Sequence, residues 1–310
     1  MISPSTLSNE TITSNTELNK KLYPKISIVT PSYNQGQYLE KTILSILNQN
    51  YPNLEYIIID GGSTDNSVEI IKKYEKHLTY WISEKDNGQS DGINKGLLKC
   101  TGDIIAWLNS DDYYEPDTLK NVVSVFSKHL DAGLLYGDCR IIYVDSDGKT
   151  VKQQIVSPEH VSNFSLMNYW KSCFLPPQPS MFWRKSIQDH TTLLNRNLNY
   201  AMDMDFWLQL SEHTKIVKAN FLLSNYLVHT NSKSGSEGGF SKFKSEWKRV
   251  SESHLKNKST LVKLRYYIEK MAYHIANYKY KKLPRIFLGF IVNVFKKITG
   301  VKKIGILKVK

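Results

Sequence analysis

Three apolar runs within the first 112 residues end in the same manner. "KISIVTPSYN" (25–34), "LEYIIIDGGSTD" (54–65) and "DIIAWLNSDD" (103–112) each begin as a buried strand and stop at Asn, Asp or Gly. Between them the period changes from strand to helix. Leu39, Ile43, Ile46 and Leu47 repeat on one helical face over 35–49, with Asn34 and Gln37 spaced as a capping box. Asn66 and Glu69 have the same cap-and-partner spacing for a second helix. "LTYWIS" (78–83) reads as a third strand, and "SDGINKGLLKCTG" as a helix closed by Gly102. Pro116 suits the first turn of a helix with an apolar face of Leu119, Val122, Val123, Phe126 and Leu130. This alternation predicts an α/β fold with a mainly parallel central sheet flanked by helices. In such sheets ligands bind beyond the carboxyl ends of the strands, where Asn34, Asp60 and Asp111 fall.

The later sequence is less regular. Residues 134–156 read as a hairpin turning at Ser146–Gly148, and "PPQPSMFWRKS" (176–186) as a Pro-rich loop entering a strand. "YAMDMDFWLQLSEH" (200–213) reads as a helix start carrying Asp203 and Asp205. After the Gly/Ser-rich stretch 232–241 the composition changes. Residues 241–310 hold 19 Lys/Arg against 3 Asp/Glu, a charge of +16, while the first 240 hold 22 against 26, or −4. The overall +12 therefore belongs to the C-terminal part. Leu261, Leu264, Ile268, Met271, Ile275 and Tyr278 form one helical apolar stripe there. The expected organisation is a polar N-terminal tail (1–22), a catalytic-type domain (23–240) and a basic helical extension (241–310). The tail lacks the pattern of a signal peptide, and the longest apolar run, "IFLGFIV" (286–292), is too short to span a bilayer. Three scattered cysteines, Cys100, Cys139 and Cys173, with no metal-type spacing, suit a reducing compartment.

Several residues offer chemistry, each with a plainer alternative. Asp111 and Asp112 are oxygen ligands suited to Mg²⁺ or Mn²⁺ beside a diphosphate, or solvated turn residues. Asp60, followed by two glycines, is an acceptor for a base or ribose, or a tight-turn residue. Glu84, Asp86, Asp91, Asn94 and Lys95 crowd one helix start, where Lys95 would screen phosphate charge, or form a polar surface helix. Asp203 and Asp205 are candidate general bases or helix-start residues. His229 is a structural imidazole or a metal ligand.

The order and spacing of "SIVTPSYNQGQYLEKTILSILNQNYPNLEYIIIDGGSTDNSVEII", "ISEKDNGQSDGINKG" and "GDIIAWLNSDD" resemble glycosyltransferase family 2, with a GT-A fold of the bacterial polysaccharide-biosynthesis type. The resemblance runs over about residues 25–230 and is tightest over 25–120. It implies an inverting transfer of a sugar from a nucleotide diphosphate, most simply UDP, to an acceptor hydroxyl, with Mn²⁺ or Mg²⁺ as cofactor. Carried over by position, Pro31, Ser32, Tyr33, Asn34 and Asp60 bind the nucleoside, and Asp86, Asp91, Asn94 and Lys95 line the donor. Asn109, Ser110, Asp111 and Asp112 replace the Asp-x-Asp motif: Asn109 and Ser110 on the donor, Asp111 and Asp112 on the metal with His229. Asp203 is the base, with Asp205 as competitor. Asn109 stands for an Asp, Met202 for a Glu, and Leu227 and Val228 where relatives often show Arg.

The expected acceptor is a glycan or a lipid-linked acceptor. The expected location is cytoplasmic and peripheral on the inner face of the membrane, through an anionic surface bound by 241–310. An alternative is that the extension covers the domain, and its stripe allows a homodimer seam. A nucleic-acid binder is disfavoured because the basic segment lies outside the domain and carries no reading motif. A nucleotidyltransferase lacks its Gly-rich, basic start here. A non-catalytic partner subunit stays open through Asn109 and Met202.

Overall fold

The computed structural model describes residues 23–171, 175–233 and 235–277. The N-terminal tail 1–22, Cys173, and residues 278–310 with "IFLGFIV" and Tyr278 lie outside the described residues. A nine-stranded sheet runs in the order β3-β2-β1-β4-β8-β6-β9-β5, with β7 paired to β6. Its first half is parallel: β1 (Ile26–Ser32) lies between β2 (Leu54–Asp60) and β4 (Ile104–Trp107), and β3 (Tyr80–Ser83) joins β2. Register places Ser32, Asp60 and Ser83 side by side at one edge. β1, β2 and β4 are almost wholly buried, which is why they read as continuous apolar runs.

The second half is mixed. β8 (Met181–Arg184) runs antiparallel to β4 and to β6 (Ala132–Val144). β9 (Lys215–Val228) is parallel to β6, and short β5 (Tyr113–Tyr114) is antiparallel to β9. β6 and β7 (Thr150–Val156) form the expected hairpin. The α/β architecture thus agrees with the sequence pattern.

Helices α1 (Gly36–Leu47), α2 (Ser67–Tyr74), α3 (Gln89–Leu97) and α4 (Thr118–Lys128) follow the expected order. Four local details differ. Neither Asn34 nor Asn66 caps a helix through its side chain. Asp65 does both jobs, its Oδ2 accepting from Gly36 N (2.9 Å) and its Oδ1 from Ser67 N (3.0 Å). α3 ends before Gly102, whose amide instead donates to Ser27 Oγ at 2.8 Å. Pro116 lies ahead of α4, which starts after Asp117 in a left-handed conformation (φ 59°), and Leu130 is 81 % exposed because the helix has already ended.

α5 (Met202–Ser211) is held beneath the sheet by a buried aromatic cluster. Trp107 stacks on Trp207 at 4.9 Å and 10°, and Trp183 and Phe206 close around them. Stacked pairs add about 0.5–1.5 kcal/mol beyond the area they bury. α6 (Gly239–Lys256) packs into the same core through Trp247, Val250 and Leu255. α7 (Thr260–Asn277) follows, burying Tyr266 while Leu261, Leu264, Tyr267 and Met271 stay exposed. The anticipated stripe at 261, 264 and 271 is therefore the outer face, and self-packing uses Val262, Tyr266 and Tyr273.

Candidate active site

The sheet edge beyond β1–β4 gathers most of the expected residues. At the end of β2, buried Asp60 spends both oxygens locally. Oδ2 accepts from Gly62 N, Ser63 N and Ser83 Oγ (3.1, 2.9 and 2.7 Å), and Oδ1 from Ser63 Oγ (2.5 Å). Asp60 shapes the loop, with both oxygens bonded within it. Asn34, at φ 51°, ties this loop to β1: its amide donates to Ser63 Oγ, and its Oδ1 accepts from Thr64 N, both at 2.8 Å. Beside it Pro31 and Ser32 are buried, the Ser32 hydroxyl without a partner among the described residues, and Tyr33 is 60 % exposed.

Asp86 sits in a slot between Gly61 and Gly92. A Cβ at either glycine would approach its Oδ2 to 2.8 or 3.0 Å. Its other oxygen accepts from Gly88 N at 2.8 Å. The α3 residues carry scaffold roles. Asp91 is 3 % exposed and pairs with Arg196 at 2.9 Å. Both amide atoms of Asn94 are bonded to the backbone of Leu194 (2.8 and 2.9 Å). Lys95 bonds Glu84 at 2.7 Å, which raises its pKa. Asn94 and Lys95, expected along the donor, have structural partners here. They fasten the 192–199 loop and the α3 start.

Beyond β4 the four residues Asn109–Asp112 divide. Asn109 does not offer a free amide for a ribose. Its Oδ1 accepts from Gln89 Nε2 (2.9 Å), and its Nδ2 donates to Gln178 Oε1 (3.0 Å) and Asp112 Oδ2 (3.3 Å). Gln178 reaches it because β8 runs antiparallel to β4, and Gln178 Nε2 also donates to Trp107 O at 2.9 Å. Ser110 is buried, and its carbonyl accepts from Thr42 Oγ1 of α1 at 2.9 Å. Thr42 also donates to Asp112 O at 2.6 Å. One helix hydroxyl therefore clamps the loop that presents Asp111.

Asp111 and Asp112 are not equivalent. The β5–β9 pairing, with Tyr113 opposite Asn225, lays both beside the end of β9. Asp112 is fully buried, and its Oδ1 accepts from Leu227 N at 3.0 Å. Burial and the neighbouring Asp111 charge push its pKa well above the carboxylate range. Both oxygens of Asp112, expected beside the metal, are bonded inward. Asp111 Oδ2 lies 3.1 Å from His229 Nε2, and its side chain is 16 % exposed. His229 is 3 % exposed, lies against Tyr38 (4.6 Å between rings), and its Nδ1 has no partner among the described residues.

Asp203 lies in the first turn of α5. Burial raises its pKa to about 6, against the opposing effect of the Met204 amide, which donates to Oδ1 at 2.7 Å. Asp205 has both oxygens occupied, by His254 Nε2 of α6 (2.9 Å) and Gln209 Nε2 (3.0 Å). A chain of contacts links Asp203 with the His229 segment. Ser232 accepts from His229 N, and Lys233 of that turn donates to Asn199 O at 2.8 Å, just before α5. The sequence reading missed Gln89, Gln178, Thr42, Arg196 and Glu246. Gln178 lies within a stretch already singled out, whereas Arg196 and Glu246 act over 105 and about 45 residues and leave no local signal.

This arrangement and sheet define the GT-A class. The chain is similar to Staphylococcus aureus TarS 1–349 in complex with UDP-GlcNAc, with a TM-score of 0.61, 18 % identity and coverage of 88 % of this chain and 81 % of that one. It is similar to the mannosyltransferase PcManGT from Pyrobaculum calidifontis in complex with GDP-Man and Mn²⁺ (TM-score 0.51, 11 % identity, 90 % and 88 % covered). The model of glycosyl transferase family 2 matches residues 27–191, over half of the chain, and the chain belongs to that family. Among curated relatives, Escherichia coli chondroitin synthase is 29 % identical over 67 % of this chain and 30 % of its own length. Pasteurella multocida hyaluronan synthase is 30 % identical over 71 % and 22 %. The chain spans about half the length of a further relative, an uncharacterized glycosyltransferase of Nostoc, at 29 % identity over 53 % of this chain.

Proposed function

We propose that the protein is a metal-dependent, inverting glycosyltransferase that moves a sugar from a UDP-sugar to a hydroxyl of a cell-surface glycan or lipid-linked acceptor. The observation that carries this reading is Asp111 beside a buried histidine beyond β4, with Asp203, its pKa raised to about 6, joined to the same His229 segment through Lys233. The UDP-GlcNAc complex of TarS and the polymer-synthase names among the relatives support the donor and the glycan product.

Asp203 takes the acceptor proton as the hydroxyl oxygen attacks the anomeric carbon. Its raised pKa makes it a better base than an exposed aspartate while leaving it mostly ionised near neutral pH. The Asp60–Asn34 loop and Asp86 cradle the nucleoside, and the Thr42–Asn109–Gln178 braces hold Asp111 against the diphosphate. Displacement at one face of the sugar with departure from the other inverts the anomeric centre.

Among the described residues no cluster of three or more His, Cys, Asp or Glu side chains suits a metal. Asp111 and His229 nevertheless fit a divalent ion completed by donor phosphates and water, because Mg²⁺-type sites keep waters and use few protein ligands. His229 Nε2 lies against one Asp111 oxygen and the other Asp111 oxygen has no hydrogen-bond partner among the described residues, so the two side chains present neighbouring donor atoms. When bound, the ion supplies Lewis-acid stabilisation of charge on the departing diphosphate.

Thermal unfolding against UDP, GDP, dTDP and CMP, with and without Mn²⁺, tests the reading. One diphosphate should raise the midpoint with Mn²⁺, and Asp111→Ala should abolish that rise. No rise with any nucleotide in a folded protein refutes it. The same proposal places α7's exposed apolar face and the following basic segment against an anionic membrane, while α6 packs one face into the core through Trp247, Val250 and Leu255. No described helix is long and apolar enough to cross a membrane. Flotation with anionic vesicles should be lost on truncation after Thr260, and unchanged flotation refutes the membrane role.

A further inference from the structure

α5 has no N-cap side chain of its own: its N-cap position is Ala201. A helix start leaves several amides without partners, and a capping side chain normally takes one of them. Here the partner comes from α6. Glu246, 5 % exposed, accepts through Oε2 from three consecutive amides, Asn199 (3.0 Å), Tyr200 (2.5 Å) and Ala201 (2.7 Å). Its Oε1 accepts from Arg249 at 3.3 Å. A buried carboxylate satisfied by three backbone donors is a strong local constraint, because charge-assisted bonds are about twice as strong as neutral ones.

We infer that Glu246 is a positioning residue for Asp203: it fixes the entry of α5 and sets a second negative charge at the helix end where Asp203 lies. This rests on the reading of Asp203 as the base. The positive end of a helix, equivalent to about half a charge, would otherwise stabilise the Asp203 carboxylate and weaken it as a base. Glu246 occupies that end and opposes this effect. The other groups facing this turn are Lys233, whose charge acts on Asp203 and whose ammonium bonds Asn199 O, and Lys242 near the Tyr200 ring at 5.9 Å. On the same helix Asp205 is paired to His254, which also contacts Glu212 at 3.3 Å.

Glu246 is not needed to dock α6. Trp247 is buried and donates through Nε1 to Leu166 O at 2.8 Å, and His254 clamps Asp205 independently. Glu246→Gln keeps the shape and an acceptor oxygen but removes the charge. The full-length protein, labelled with ¹³C at Asp carboxyls, reports the Asp203 titration as the resonance absent from Asp203→Asn. In Glu246→Gln this titration should move down by about half a unit or more. Where a UDP-sugar is turned over, kcat should fall about threefold or more with donor KM unchanged. An unmoved titration at an unchanged thermal midpoint overturns the inference. If Glu246→Gln does not fold, hydrogen exchange of the parent decides: the Tyr200 and Ala201 amides should be protected, and exchange at the rate of an open loop overturns it. A titration that moves with Glu246 in a protein that turns over no nucleotide sugar supports the placement while the donor reading fails. Normal turnover and an unmoved titration in Glu246→Gln sink the placement and leave the donor reading standing.

Discussion

Asp203→Asn should make the protein more stable and nearly inactive. Burial lifts the Asp203 pKa from 3.8 to about 6. Ionising it in the folded state therefore costs more than ionising it in the unfolded chain. The sign follows from linkage: with the folded value raised, stability is complete below 3.8 and is lost as pH rises through 6. The loss is about 3 kcal/mol above pH 7, at 1.36 kcal/mol per pKa unit. Asparagine is neutral throughout and can still accept from Met204 N, so the variant escapes the penalty. Urea unfolding of both proteins from pH 4.5 to 8 reads the difference directly. The gain should be about 1 kcal/mol at pH 4.5 and about 3 kcal/mol at pH 7.5. Turnover should fall by about 10²- to 10⁴-fold, the usual contribution of a general base. A variant no more stable at pH 7.5, or one whose gain is the same at both ends of the range, refutes the argument that burial sets this carboxyl.

Three further substitutions separate scaffold from chemistry. Asp112→Asn should cost under about 1 kcal/mol in chemical unfolding, whereas Asp112→Ala, which orphans Leu227 N, should cost about 1–3 kcal/mol; equal costs would contradict the inward bonding of this residue. His229→Ala should lower Mn²⁺ affinity by about 10-fold or more, read as a weaker Mn²⁺-dependent thermal shift with UDP, and an unchanged shift would remove His229 from the ion. Gly96→Ala would bring a Cβ to 2.3 Å from Val29 Cγ1 where α3 crosses β1, so the melting midpoint should drop by an amount corresponding to about 1–3 kcal/mol, and an unshifted midpoint would show that the contact yields freely.

The strand–helix order was legible because its causes are local. Buried parallel strands must be apolar on both faces, so β1, β2 and β4 announced themselves, as did the loops at their carboxyl ends. Caps were less legible. Asn34 and Gln37 have the spacing of a capping box, yet Asp65, 29 residues from Gly36, takes the Gly36 amide because the β1 and β2 loops meet at one edge. The division of Asp111 from Asp112 depends on where β5 pairs with β9, a contact across more than 110 residues. The competition between Asp203 and Asp205 likewise depends on His254 of α6. No spacing rule reaches that far.

The site follows from what the scaffold leaves over. Aspartates and glutamates crowd this edge, and most are consumed by structure. Asp60 is saturated by its own loop, Asp91 by Arg196 and Asn87 N, Asp112 by Leu227 N and Asn109, Asp205 by His254 and Gln209, and Glu246 by the α5 entry and Arg249. Asp86, Asp111 and Asp203 each keep one oxygen without a hydrogen-bond partner among the described residues. Their positions differ in kind. Asp86 is seated between glycines on the side of the nucleoside loop, Asp111 beside a histidine, and Asp203 in a setting that raises its affinity for a proton. The proposed transfer calls for three such environments, for the donor, its departing diphosphate and an acceptor hydroxyl. Asn109 shows why one fewer charge is tolerated at the Asp111 turn. A third carboxylate packed against Asp111 and buried Asp112 would add repulsion in a poorly solvated corner, whereas the neutral amide donates to Asp112 and Gln178 and accepts from Gln89. The amide at Asn109 thus leaves a loop that is braced from three sides.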